Sequence, residues 1–117
     1  MKKVLLIEDD PTMLSLLETL LEIEGFEVKK INDYGSILEL VESESPDLVL
    51  MDVHLKEVDG LEVLSSMKKD QNLEKVKVIM ASGMDYKKQS IQTGANDFIQ
   101  KPFMPDELVS KIKRLAS

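Results

Sequence analysis

Residues 46–60 read PDLVLMDVHLKEVDG. Leu48, Val49, Leu50 and Met51 form an unbroken apolar run, bounded by Pro46 on one side and by Lys56-Glu57 on the other. A strand covered on both faces reads this way, whereas a strand with one wet face alternates. The run ends on a carboxylate, Asp52, and the polar loop beyond it closes at Asp59-Gly60, where a helix can begin. A single acid at a strand end has an ordinary explanation, as a cap for the next helix. It adds little to stability there, but it is well placed for chemistry.

The same cadence of strand then helix runs through the rest of the chain. Val4 to Ile7 is a second apolar run, ending in Glu8-Asp9-Asp10, and Asp10 reads as a helix-start residue. Pro11 opens a helix with a broad apolar face of Met13, Leu14, Leu16, Leu17, Leu20, Leu21 and Ile23, and Gly25 stops it. Phe26 to Ile31 roughly alternates, so this strand is expected to be exposed on one side or to lie at a sheet edge. Ile37, Leu38, Leu40 and Val41 mark a second helix; Leu61, Val63, Leu64 and Met67 mark a third. Val76 to Ala81 is a fourth strand, ending at Ser82-Gly83. The segment from Asp85 to Thr93 has one strong apolar residue, Ile91, and would be held by little packing. Phe98-Ile99 lies in a short fifth strand leading to Lys101-Pro102-Phe103, and a last helix, Pro105 to Ala116, turns Leu108, Val109, Ile112 and Leu115 inward.

Five such units imply an α/β fold, a parallel sheet with helices on both faces. Ligands of these folds gather at the carboxyl ends of the strands. The tails of strands one, three, four and five are Glu8-Asp9, Asp52, Ser82 and Lys101, all polar.

Composition bounds the function. The 117 residues make one domain, 43% hydrophobic and 32% charged. No cysteine is present, which excludes disulfides and thiolate metal sites and fits a reducing, cytoplasmic setting. A net charge of −7 argues against direct binding of nucleic acid. No apolar run approaches a membrane span, and no signal-peptide core follows Met1. The last helix reaches Ala116-Ser117 with no output domain, which fits either a stand-alone module or a piece of a larger regulator or hybrid kinase.

Three carboxylates brought together would repel one another and would suit a hard cation such as Mg²⁺, which takes carboxylate, water and phosphate oxygens. Lys101 adds a mobile positive charge and Ser82 a hydroxyl. Carboxylate, cation, ammonium and hydroxyl are what an acyl phosphate needs: the aspartate attacks phosphorus and the others hold the equatorial oxygens. The plain structural reading is a salt-bridged cluster at the strand ends.

Over essentially its whole length, 1–117, the sequence resembles a response-regulator receiver domain of two-component signalling, of the CheY-like kind. The residues that carry the resemblance are Glu8-Asp9, Asp52 with Asp59-Gly60, Ser82-Gly83 and Lys101-Pro102-Phe103. It implies a flavodoxin-like, three-layer (βα)5 fold with strand order 2-1-3-4-5. It implies that Asp52 takes a phosphoryl group from a sensor histidine kinase or phosphotransfer protein. Mg²⁺ would be held by Glu8, Asp9, Asp52 and the main-chain carbonyl of His54. Lys101 would be the phosphate-binding lysine, in a cis bond to Pro102, and Ser82 and Phe98 the two switch residues. The output would leave by the face of the fourth helix, fifth strand and fifth helix, toward a downstream protein or domain or a phosphorylation-dependent dimer. Such a module is not an enzyme beyond phosphorylating and dephosphorylating itself.

The chain departs from the family pattern in two places, and one further residue stands out. Lys56 replaces a frequent proline, predicting a looser loop; Phe98 replaces a frequent tyrosine and cannot donate a hydrogen bond; and His54 stands two residues after Asp52. Two other functions compete. A covalent aspartyl-phosphate phosphatase or phosphotransferase of the haloacid-dehalogenase type wants a second acid where His54 stands, and a cap to exclude water. An unphosphorylated interaction scaffold does not need the full acid–serine–lysine set. The five glycines form no nucleotide-binding fingerprint.

Overall fold

The computed structural model describes residues 1–116, so the last residue of the expected 1–117 domain lies outside the described residues. The chain alternates β1 (Lys3–Ile7), α1 (Pro11–Ile23), β2 (Glu27–Ile31), α2 (Ile37–Glu44), β3 (Leu48–Asp52), α3 (Gly60–Lys69), β4 (Lys77–Ser82), α4 (Lys87–Thr93), β5 (Asp97–Gln100) and α5 (Pro105–Ala116). A short 3-10 turn, Tyr34–Ser36, precedes α2. The five strands pair in parallel in the order β2-β1-β3-β4-β5, which is the flavodoxin-like order.

Hydrophobic pattern and sheet position agree. All five residues of the central β3 are buried, while Glu27, Lys29 and Lys30 of the edge strand β2 are exposed. Alternate residues of β3 face opposite layers. Val49 and Met51 pack with Ile37, Val41, Leu64 and Met67 of α2 and α3. Leu48 and Leu50 pack with Leu17 and Leu21 of α1 and Leu108, Ile112 and Ala116 of α5. The helices begin as their sequences dictate. The Asp10 side chain accepts the N–H groups of Thr12 and Met13 to start α1, and that of Asp59 accepts the Leu61 N–H to start α3. Gly25, at φ +93°, lets the chain leave α1 through a left-handed residue.

Two expectations need correction, on α1 and on the loop carrying Lys56. The apolar face of α1 is narrower than its sequence, since only Leu17 and Leu21 are buried and Leu16 and Ile23 lie on the surface. The α4 segment, expected to be held by little packing, buries only Ser90, and its one strong apolar residue, Ile91, is 44% exposed. The loop carrying Lys56 is also tighter than expected. His54–Leu55 and Val58–Asp59 form a two-residue antiparallel ribbon, Leu55 is buried, and the Gly60 N–H donates to the Val53 carbonyl at 2.7 Å.

Register places the chemistry. Ile7 lies between Ile31 and Met51, Asp52 beside Ala81, and Ser82 beside Gln100, so the polar tails leave the sheet side by side.

Candidate functional site

Glu8 follows the last residue of β1 and Asp52 ends β3; they are 4% and 7% exposed, an unusual burial for two carboxylates. Lys101, in the loop after β5, reaches across to both. Its Nζ lies 2.5 Å from Glu8 Oε1 and 2.7 Å from Asp52 Oδ2. The Lys101–Pro102 bond is cis, and the Lys101 N–H donates to the Ser82 carbonyl at 2.8 Å. The other oxygen of Asp52, Oδ1, accepts the His54 N–H at 3.1 Å. Both ends of the Asp52 carboxylate are therefore held, one by a charge and one by the backbone of its own loop.

Asp9 completes the acidic group. One ligand oxygen each from Glu8, Asp9 and Asp52 lies within 4.8 Å of the others. A single ammonium cannot neutralise three carboxylates. Burial first, then the neighbouring Asp52, pushes the Glu8 carboxyl up to about 7 against the pull of Lys101. For Lys101, burial works against the charge, but the hydrogen bonds to Asp52 and Glu8 outweigh it and raise its pKa. Three hard oxygen donors with excess negative charge fit a divalent cation of the Mg²⁺ kind and offer nothing to a soft metal.

Ser82 and Phe98 stand nearby in different states. Ser82 is fully buried, and its Oγ accepts the Met84 N–H at 3.1 Å rather than a bond from the Lys101 ammonium, which is turned to Glu8 and Asp52. Phe98 is 6% exposed and packs in the core layer of α2 and α3. Sequence reasoning brought Glu8, Asp9, Asp52, Lys101 and Ser82 to one end of the sheet, and the structure gathers them there.

Two aromatic residues at the site were missed. Tyr34, in the turn after β2, has its phenol pKa raised by burial and then by Asp9, Glu8 and Asp52. The Tyr86 ring meets the His54 imidazole edge to face, with centroids 5.2 Å apart and planes at 75°. Tyr34 follows the expected edge strand by three residues, and that position is the one signal that could have flagged it. Nothing in the sequence announces a contact between residues 54 and 86.

Comparison with known proteins agrees with this geometry. The model of the response regulator receiver domain matches residues 4–113. The chain is 38% identical over 116 residues to a CpxR homolog, a transcriptional regulatory protein of Haemophilus influenzae, covering 98% of this chain and 50% of that one. It is 30% identical over 115 residues to PhoP of Bacillus subtilis, the alkaline phosphatase synthesis transcriptional regulatory protein, covering 97% of this chain and 48% of that one. The chain thus spans about half the length of these curated relatives. The receiver domain of the sensor histidine kinase PA1611 from Pseudomonas aeruginosa superposes with a TM-score of 0.85 at 26% identity, over 98% of this chain and 97% of that one. That structure has a magnesium ion coordinated in its active-site cleft. With the sheet order, the gathered strand ends and a family match over nearly every residue in agreement, the chain belongs to the response regulator receiver domains.

Proposed function

We propose that residues 1–117 form one receiver unit and act as a phosphorylation-driven switch with Asp52 as the phosphoryl acceptor. The observation that carries this reading is the Asp52 carboxylate held between the Lys101 ammonium and the His54 amide, beside two further acids. A carboxylate oxygen of Asp52 forms a bond to phosphorus as the bond from phosphorus to the donor breaks. The departing atom, an imidazole nitrogen in a histidine kinase or phosphotransfer protein, keeps the electron pair. Glu8, Asp9, Asp52 and the main-chain carbonyl of His54 would hold Mg²⁺, which when bound offsets the charge on the phosphoryl oxygens. The magnesium in the cleft of the Pseudomonas receiver supports that assignment.

Lys101 is placed to follow the charge from the carboxylate onto a phosphoryl oxygen. Ser82 accepts a main-chain bond through Oγ, which leaves its own proton to donate to another. The chain's chemistry then ends with loading and slow unloading of Asp52. Signal transfer to a downstream protein or domain, or to a second copy, goes by a population shift at α4, β5 and α5. The unit acts in the cytoplasm without touching nucleic acid itself. Among the described residues no helix is long and apolar enough to cross a membrane.

Incubation with Mg²⁺ and acetyl phosphate tests the proposal by intact-protein mass spectrometry. One phosphoryl group, acid-stable and base-labile, is expected, and Asp52→Asn should abolish it. Equal labelling of that variant, or labelling that survives chelation of the metal, defeats the assignment.

A further inference from the structure

The α4 helix has little apolar hold of its own. It is seven residues long and buries only Ser90, whose hydroxyl has no hydrogen-bond partner among the described residues. Its N-cap residue, Tyr86, makes no side-chain capping bond. Lys87 and Lys88 follow at once, and positive charge there opposes the positive end of the helix dipole. The Asp85 carboxylate helps by accepting the Lys87 N–H at 3.1 Å, but Asp85 is exposed and lies outside the helix.

The first turn is fastened from elsewhere. The Tyr86 ring packs against the core layer of α2 and α3, and its other neighbour is the His54 imidazole, 5.2 Å away in the favourable edge arrangement. His54 is itself bound to the phosphoryl site, because its N–H donates to Asp52 Oδ1. One hydrogen bond and one ring contact thus join the Asp52 carboxylate to the start of α4, by a route that uses neither Ser82 nor Phe98.

That route responds to the charge on Asp52. A hydrogen bond from an amide to an ionised carboxylate is roughly twice as strong as one to a neutral acceptor. When an Asp52 oxygen is bonded to phosphorus, the negative charge moves out to the phosphoryl oxygens, and the grip on the His54 amide weakens. We propose that the His54–Tyr86 contact is a strap between the site and the helix. Tyr86 is a positioning residue for the loop amide that holds Asp52, and loading Asp52 slackens the strap and frees the first turn of α4. This rests on Asp52 being the phosphoryl acceptor.

His54 is the only histidine, so its imidazole carbon-bound protons give isolated NMR signals that the ring of Tyr86 displaces. Tyr86→Leu should return those signals toward free histidine, while Tyr86→Phe, which keeps the ring, should leave them in place. In the wild-type protein, Mg²⁺ with beryllofluoride should move them in the same direction as Tyr86→Leu. Amide exchange at residues 87–90 should quicken in His54→Ala and in Tyr86→Leu, and the double variant should add nothing further. The rate of loading from acetyl phosphate should change several-fold in Tyr86→Leu and recover in Tyr86→Phe. Bound beryllofluoride, seen as shifts at the Asp52 and Lys101 amides, with His54 unmoved would overturn the strap alone, as would additive effects in the double variant. Wild-type protein that binds no beryllofluoride would take down the acceptor assignment and the strap with it.

Discussion

Glu8 is the residue whose environment departs furthest from the ordinary. An isolated glutamate beside a lysine is expected to ionise more easily, yet burial and the adjacent Asp52 hold this one up at about 7. The folded protein therefore keeps a proton on Glu8 over a range where the unfolded chain, near the ordinary value of 4.5, has lost it. Between those values the native state binds more protons, so stability must fall as pH rises. Below the ordinary value both states are protonated and no penalty applies; above about 7 both are ionised and the penalty is complete. Denaturant unfolding without divalent cations should show wild-type stability declining from about pH 4.5 to 7, by at most roughly 3 kcal/mol at this site given ~1.4 kcal/mol per pKa unit, and by less as solvent screens the charges. Glu8→Gln should flatten that slope, and an unchanged slope would show that Glu8 is not the group responsible. The acids could be read in the sequence because each ends an apolar run. That Lys101 binds Glu8 as closely as Asp52 could not, since the two are 93 positions apart and only the folded sheet edge joins them.

Elements were legible in proportion to how much of their surroundings their own sequence encodes. The two-face burial of β3 and the edge position of β2 follow from pattern alone, because each strand's neighbours repeat along its length. On α1 the pattern overstates burial: it packs across β1 and against α5, and a helix that meets the core along one stripe leaves Leu16 and Ile23 outside. On α4 the pattern gives thin packing but not the inward residue, because a short helix has too few turns for periodicity to point inward, and the one buried place is held by Ser90. The junction of β3 and α3 is different again. Gly60 was read as a helix start, but packing sets the stronger requirement. A Cβ there would stand 2.2 Å from the Asp52 carbonyl oxygen and 3.0 Å from Val53 Cα, both main-chain atoms that cannot swing aside. Gly60→Ala should destabilise the fold by about 1–3 kcal/mol, the usual cost of overpacking, and displace Asp52 as well. Urea unfolding gives the first effect and the Asp52 and His54 amide shifts the second. A variant as stable as wild type with those shifts unmoved would mean that the close approach carries no constraint.

For the whole molecule, the acidic site and the proposed output side of the fold differ in charge. Apart from Lys101, which belongs to the acidic site, residues 83–117 hold Lys87, Lys88, Lys111, Lys113 and Arg114 against Asp85, Asp97, Asp106 and Glu107, so they are still net positive in a chain of net charge −7. Within this side Asp97 is already matched, accepting from Lys111 at 3.0 Å and Arg114 at 2.9 Å, which ties α5 to the start of β5. The opposite side is tied too: Lys113 of α5 pairs with Glu24 at the end of α1. One line of contacts leads from Asp52 through His54 and Tyr86 to the start of α4, while Ser82 at the end of β4 accepts from Met84 just ahead of the same helix; α4 lies between those anchored elements in sequence and has little apolar hold of its own. Phe98 is already buried, so the larger motion is expected in α4 and the loops around it rather than in an inward swing of that ring. Amide exchange with and without Mg²⁺ and beryllofluoride should therefore change most in residues 82–104 and in the loop 53–59, with α1 and α2 quiet. Changes confined to α1 and α2, with 82–104 silent, would mean that the signal leaves by the acidic side, and the output face would have to be reassigned.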